Sequence, residues 1–506
     1  MDSSATIHPR KALFVFSILQ YYREMSPVPE FFQQRGYEIH ILLGFSGATA
    51  EEAANRCEEL GFCVHHVPPD MNYGDHLAAH GASDSSEKPG KQTLIRKLTR
   101  FFRQIIELLR LPRTLRKYVK RHQKTRQYGA TLIQDIGPDI VFGGPFHSCG
   151  RFDNAIARYC TIHDIPYCCL SMSPYITNDD EVRFINLASG MLPKKLRSNH
   201  SLTNRSLSHW FPSWTRTRDG ETIFMWDPIE MFSAWLTSMM EKDPWQKPSS
   251  QYSALFVECE LSREMLLARH YESGNIVHVG KPLLDQVFAN LTNEEYRRQL
   301  YCDLGLADGE PFLLFNVEPS AEHRYASWDD HWVRFHALMD RLAQEQVNVI
   351  LSLHPLCDPS NYRFVQEQYN FTLSEKYKIA ELFPYCSLSV SYPCSTNHLA
   401  SEFNKPQLIY DFFEVTRRDS LTGQWWTIPH AQYSYTMAEF SDQLEDHLAE
   451  IRTDPCMAAE LHEKHVPACQ RIYNYVKQKF ALSETPMGSE GLTIVTPDPL
   501  TSQSAA

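Results

Sequence analysis

The chain has 506 residues, 49 Lys and Arg against 61 Asp and Glu for a net charge of −12, and 43% hydrophobic residues. Domains of ~100–200 residues put two to four in a chain of this length, and the apolar content excludes a wholly disordered protein. No apolar run reaches the ~18–20 residues that a membrane-spanning helix needs.

Near the amino end, KALFVFSIL from Lys11 is apolar and compact. The bulky polar QYYREM that follows does not suit a signal-peptide cleavage site, so the run reads as a first buried strand. A helical stretch, YREMSPVPEFFQQRG, and a second apolar strand, YEIHILLG, complete a β-α-β opening, and EEAANRCEELGF with FCVHHVPP repeats the pattern. Such alternation argues for a parallel sheet covered by helices on both faces. The 13 cysteines include no CxxC pair and no His at zinc spacing, so reduced thiols in a cytoplasmic setting are expected, with no metal and no cofactor.

From Lys91 to Arg126 there are 13 basic residues and one acid, Glu107, a local charge of +12 that leaves −24 on the rest of the chain. On a helical wheel Leu94, Leu98, Phe101, Ile105 and Leu108 share one face and Arg96, Arg100, Arg103 and Arg110 the other, which predicts a basic amphipathic helix broken near Pro112. Two readings stand: a helix packed on the sheet with a solvated basic face, or one docked on an anionic membrane surface or a phosphorylated acceptor. GPDIVFGGPF, FDNAIARYCTIHDIP and YCCLSMSP then read as strand, helix and strand, while residues 176–250 resist assignment beyond a helical FMWDPIEMFSAWLTSMME.

A second unit is expected from Ile276. NIVHVG and PFLLFNVEPS read as strands, VNVILSL as a strand ending at His354, and LSVS as a strand opening into Tyr392-Pro393-Cys394-Ser395-Thr396 ahead of another helix. The expected organisation is an amino-terminal domain over 1–275 with the basic helix 91–126 inserted, a carboxyl-terminal domain over 276–482 whose final helix packs back across the pair, and a disordered Ser/Pro/Thr-rich tail over 483–506. Ligands of such sheets collect beyond the carboxyl ends of the strands. His354 and the Ser395/Thr396 pair stand there on successive strands, with Thr396 opening a helix whose free N–H groups suit a phosphate.

The stretches VILSLHPL and IAELFPYCSLSVSYPCSTNHLASEFNKPQLIYDF resemble the carboxyl half of GT-B-fold nucleotide-dependent transferases, nearest to the CDP-glycerol glycerophosphotransferase and capsule-polysaccharide transferase group. GKPLLD, from Gly280 to Asp285, is similar to a connector seen in GT-B proteins and in nucleotide-sugar 2-epimerases. The resemblance implies an α/β protein with two Rossmann-like domains facing a cleft. It implies transfer of a glycosyl or glycerophosphoryl unit from a nucleotide-activated donor to a glycan or lipid-linked acceptor. No nucleic-acid partner is expected, and under its membrane-docking reading the Lys91–Arg126 segment would give a peripheral position on the inner membrane face. A nucleotide-sugar 2-epimerase of the UDP-GlcNAc type is the alternative, and a non-catalytic binding module the third reading.

By the same resemblance His354 contacts the donor phosphate or nucleotide, Ser395 and Thr396 cradle the diphosphate, and Glu402, two helical turns after Ser395, accepts from ribose hydroxyls. The catalytic base is expected from the amino-terminal domain, with His147 first and Asp153 second, and Arg324 and Lys281 are candidate phosphate clamps. No Asp-x-Asp stands near a strand end, so metal-dependent transfer is not expected.

Overall fold

The computed structural model describes residues 9–68, 71, 94–144, 151–170, 193–218, 220–240, 244–245, 252–268, 271–322, 326–354, 357–394, 396–412, 414, 416–417, 427–428, 430–451 and 466–480; the side chains of 94–110, 450 and 451 fall outside the description. The expected tail, the loop 80–90 and the apolar and basic faces of 94–110 all lie outside the described residues.

The first half runs β1 (Arg10–Phe16), α1 (Leu19–Met25), α2 (Pro27–Gln33), β2 (Tyr37–Leu43), β3 (Cys63–His66), α3 (Leu94–Ile136), β4 (Ile140–Gly143), α4 (Phe152–Ile162), β5 (Tyr167–Leu170), β6 (Thr215–Arg218), β7 (Glu221–Phe224), α5 (Pro228–Leu236), β8 (Ala254–Val257) and β9 (Ile276–His278). Seven of these strands form one sheet in the order β3-β2-β1-β4-β5-β8-β9, every pairing within it parallel. The two-residue period of a strand divides its core. Ala12, Phe14 and Phe16 enter one apolar layer, Leu13 and Val15 the other. Ile276–His278, expected to open the second unit, instead pairs with β8 and completes this first sheet.

The basic helix departs from its expected form as well. Helix α3 does not break near Pro112; it runs through it for 43 residues, about 65 Å. A proline costs an interior helix one hydrogen bond and a clash, and the strong helix formers Leu, Arg and Lys on both sides carry the backbone through. The latter part of α3 packs inward: Ile133 and Ile136 join the core, and a Cβ on Gly129 would press on Ala155 and Ile156 of α4. The stretch 176–250, of which the sequence pattern assigns only a helix over FMWDPIEMFSAWLTSMME, contains that helix as α5 and, unassigned from sequence, the antiparallel pair β6–β7; α5 meets α3 where Ser233 Oγ lies 3.1 Å from His122 Nδ1. Burial pushes the His122 imidazole down to about 4 and the α5 carboxyl of Glu230 up to about 7.

The second half runs α6 (Pro282–Asn290), β10 (Phe312–Val317), α7 (Trp328–Ala343), β11 (Asn348–Leu353), β12 (Thr372–Ser374), β13 (Leu388–Ser391), α8 (Asn397–Glu402), β14 (Gln407–Tyr410), β15 (Gln432–Ser434) and α9 (Ala468–Lys479). Its six-stranded sheet has the order β12-β11-β10-β13-β14-β15, again all parallel. Leu313, Phe315 and Val317 pack with Phe335, Leu338 and Met339 of α7 on one face, while Phe312 and Leu314 pack with Leu284, Val287 and Phe288 of α6 on the other. The protein is therefore an α/β fold of two Rossmann-like domains, as expected. Among the described residues no helix is long and apolar enough to cross a membrane.

Helix α9 is the last described element, yet it belongs to the first core: Ile472, Tyr473 and Val476 are buried with Phe32 and Phe142. Asp285 of α6 fixes it. Its carboxylate accepts from the backbone N–H groups of Ala468 (2.7 Å) and Cys469 (2.8 Å), capping the helix from 183 residues away. A carboxylate on two N–H groups at a helix amino terminus combines charge-assisted hydrogen bonds with a favourable dipole. Replacing Asp285 by Ala is expected to lower the unfolding free energy by ~2 kcal/mol, and Asp285→Asn by less, measured by urea titration; equal stability of the Ala variant and the wild type would remove the cap from this account.

Candidate functional site at the strand-order reversals

In each sheet the strand order reverses once, between β1 and β4 in the first and between β10 and β13 in the second. The connections from the two central strands leave in opposite directions there, opening a crevice at the carboxyl ends where such folds take ligands.

In the second sheet the crevice is built by the segments after β10 and β13. Asn316 pairs with Ser391 in the strand register, so the next residues, Val317-Glu318 and Tyr392-Pro393-Cys394, stand opposite each other. The latter loop is wired from below. Asn316 Nδ2 donates to Cys394 Sγ (3.0 Å), Cys394 Sγ and Ser391 Oγ donate to Asn397 Oδ1 (3.2 and 2.8 Å), and Asn397 Nδ2 donates to the Tyr392 carbonyl (3.1 Å). All four of these side chains are buried, and satisfied buried polar networks of this kind hold one backbone conformation. Burial pushes the Cys394 thiol up to about 12, with the Glu318 charge adding to it, so at neutral pH it is a donor in the network and not a nucleophile.

Glu318 is the chemically distinctive group. It directly follows the fully buried run Phe312–Val317, and burial alone pushes its carboxyl up to about 8. A carboxylic acid that holds its proton at neutral pH and releases it close to that range is poised for proton transfer. Beside it, His354 directly follows β11, and its backbone N–H donates to the Val317 carbonyl at 3.1 Å. Further along the loop after β10, Ser320 Oγ is 2.8 Å from His331 Nδ1, and Tyr362 OH is 3.1 Å from His331 Nε2, which anchors the loop to α7. Glu322 lies against this anchor, its charge felt by His331, Cys357 and Tyr362.

Of the residues singled out from sequence, His354 and Thr396 come to this crevice. Thr396 is half-buried at the start of α8, makes no side-chain cap, and heads a helix of only six residues. Ser395, His147 and Arg324 lie outside the described residues. Glu402 is exposed at the far end of α8. Lys281 precedes α6 and its charge is felt by Glu24 of α1 and by Cys259 after β8, which puts it at the carboxyl edge of the first sheet. Asp153 is buried at the start of α4, where its Oδ1 accepts from the Asn154 N–H at 2.9 Å.

In the first sheet the described residues at the exit of β4 are closely packed. Gly143 and Gly144, at the exit of β4, admit the Tyr167 hydroxyl and the Tyr21 ring where any Cβ would collide. Burial raises both phenols well above their ordinary range, and the nearby Asp153 charge raises them further. Asp153 is thus part of a buried cluster with Arg151 and two tyrosines behind the glycine exit.

Sequence reasoning misses Glu318, because FNVEPS reads only as a strand opening into a loop. The signal that could have found it is an acid placed directly after a mostly apolar strand, FLLFNV, and before a proline.

The sequence matches no protein-family model and none of the curated proteins. Solved structures do share the fold. The UDP-GlcNAc 2-epimerase of Methanocaldococcus jannaschii is similar at 11% identity and a TM-score of 0.48, over 92% of this chain and 99% of its own. The UDP-GlcNAc 2-epimerase of Neisseria meningitidis, bound to UDP-GlcNAc, is similar at 12% identity and a TM-score of 0.48, over 93% of this chain and 100% of its own. At this identity the likeness is one of fold. The expected transfer of a glycosyl or glycerophosphoryl unit to a glycan or lipid-linked acceptor is corrected to this extent: similar structures are in the main UDP-GlcNAc 2-epimerases, the alternative, and a glycosyltransferase of Rickettsia africae is similar as well, at 11% identity and a TM-score of 0.45, over 92% of this chain and 94% of its own.

A raised carboxyl pKa has a definite thermodynamic sign. Unfolded, Glu318 ionises near ~4.3; folded, it holds its proton to about 8. Between those values unfolding releases a proton, so stability from this group falls as pH rises and levels off above the folded value. Glu318→Gln is therefore expected to match the wild-type Tm only at about pH 4 and below, and to exceed it by a margin that grows up to about pH 8. Parallel Tm curves for the two proteins across that range would contradict the buried acid.

Proposed function

We infer that the chain is an enzyme that converts a nucleotide-activated sugar without a second acceptor substrate, by an epimerase-type reaction. The observation that carries this reading is the placement of the half-buried Glu318 directly after β10, facing the loop after β13 at the strand-order reversal of the second sheet, where burial pushes its carboxyl up to about 8. Epimerisation at a sugar carbon removes a proton from one face and returns one to the other, so it needs groups that hold and release protons near neutral pH. Glu318 has that property and needs no metal to acquire it.

In this reading a base on one face of the sugar takes the original proton and Glu318 returns one to the other face, its carboxylate regaining a proton from solvent, and the nucleotide diphosphate lies along the rigid loop after β13. Ser395, Thr396 and His354 hold the phosphates, as the sequence suggests. The wiring of Asn316, Cys394 and Asn397 supports that assignment, because a loop locked by buried hydrogen bonds presents its N–H groups in one arrangement before the ligand arrives.

The test is incubation with UDP-GlcNAc in deuterated water with no acceptor present, followed by proton NMR. Deuterium entry at a sugar carbon together with appearance of the epimer is expected, and Glu318→Gln should slow both by roughly 10²–10⁴-fold while UDP still binds in calorimetry. UDP binding with no exchange and no epimer would leave a binding module, and full activity in Glu318→Gln would remove the assigned acid.

A further inference from the structure

At the opposite end of the first sheet from its crevice, the amino-terminal ends of β2 and β3 bring together side chains that no step above uses. Glu38 and His40 alternate on β2 and so project from the same face. The parallel register pairs His40 with Cys63, the first residue of the edge strand β3, and Leu42 with His65. A ligand atom from each of Glu38, His40 and Cys63 lies within 4.8 Å of the others. His40 Nε2 is 2.8 Å from Glu38 Oε1, and His40 Nδ1 is 3.0 Å from His65 Nε2. Cys63 is exposed, whereas His40 is buried, so the cluster is anchored on one side and open to solvent on the other.

We propose that Glu38, His40 and Cys63 form a binding site for a borderline divalent transition metal, best suited by Zn²⁺, with His65 orienting His40 from behind. A carboxylate oxygen, an imidazole nitrogen and a thiolate sulfur are all zinc donors, and three protein ligands leave a fourth, solvent-facing position for water. Two light donors of a tetrahedral zinc stand about 3.3 Å apart, so Glu38 and His40 need to separate by only a few tenths of an ångström. The two ring nitrogens of His40 then have separate roles: Nε2 takes the metal, and Nδ1–H donates to His65. This is the outer hydrogen bond that fixes the tautomer of metal-bound imidazoles.

The proton balance is simple. The Cys63 thiol loses its proton to solvent, and His40 stays neutral by moving its ring proton from Nε2 to Nδ1. Glu38 and the thiolate together offset the charge of the cation. Lys11 Nζ, 3.8 Å from Glu38 and also donating to the Ile136 carbonyl, supplies part of that offset in the metal-free protein and has its second partner to keep when the metal enters. The bound ion ties the edge strand β3 to β2 where only a short ladder joins them. Zinc spacing is absent from the sequence because the donors converge across two strands and not along one segment.

The probe is Co²⁺ added to the full, reduced chain, since a thiolate on tetrahedral cobalt gives a near-ultraviolet charge-transfer band. One equivalent bound, with that band, and displacement by Zn²⁺ are expected. Cys63→Ser should abolish the band while circular dichroism stays as in the wild type, and His65→Ala should weaken binding by roughly 10–100-fold. No stoichiometric cobalt uptake by the wild type would overturn the site. So would an undiminished charge-transfer band in Cys63→Ser, because another cysteine would then be the ligand.

Discussion

A parallel sheet can reverse its strand order only by sending two neighbouring connections to opposite faces, and the gap this leaves at the carboxyl edge is the constraint around which the second half of this protein is organised. The gap lies between β10 and β13. Parallel strands buried on both faces leave little polar material in the layer beneath it. Asn316, Ser391, Cys394 and Asn397 are polar groups buried there, and they hydrogen-bond one another. That network turns the end of β13 into a fixed rim. Facing it, Glu318 has lost much of its hydration and holds a proton that an exposed glutamate would give up. A rigid rim and a protonated acid are both consequences of the same burial.

The two halves are joined through α6 and α9. One side of α6 sends Leu284, Val287 and Phe288 into the second core, where Phe288 stacks on Phe403 with ring centroids 4.9 Å apart. The same helix touches α1, α2 and α9 of the first half. Helix α9 completes the first core by the contact of Tyr473 with Phe32, at 5.4 Å between ring centroids, and Asp285 caps it. Helix α9 is thus needed to finish the core that the first strands started. Removing α9 exposes apolar surface of the first sheet, far in sequence from any crevice residue.

The alternation of apolar runs with helical stretches makes the parallel sheets and both Rossmann-like units legible, because burial on two faces writes itself as continuous apolar strands. Other features depend on what the chain meets in three dimensions. Glu318 has ordinary neighbours in sequence, and its proton affinity comes from the reversal of strand order around it. Asp285 is visible inside GKPLLD, but its partner lies 183 residues on. The helix through Pro112 cannot be read from a residue that usually ends helices. That His354 and Thr396 stand at strand ends is legible because strand ends can be located from pattern alone. Lys281 and Glu402 rest on analogy of position, and the fold sends one to the first sheet's edge and the other to solvent.

The claim on which the rest turns is that Glu318 is a protonated acid at neutral pH, and the most direct measurement is of that proton itself. With glutamate carboxyls labelled with carbon-13 and the Glu318 resonance assigned by its loss in Glu318→Gln, the carboxyl shift can be followed by NMR through pH 4 to 9. A titration midpoint near 8 is the result expected from its burial. A midpoint in the ordinary glutamate range, near ~4.3, would contradict the account.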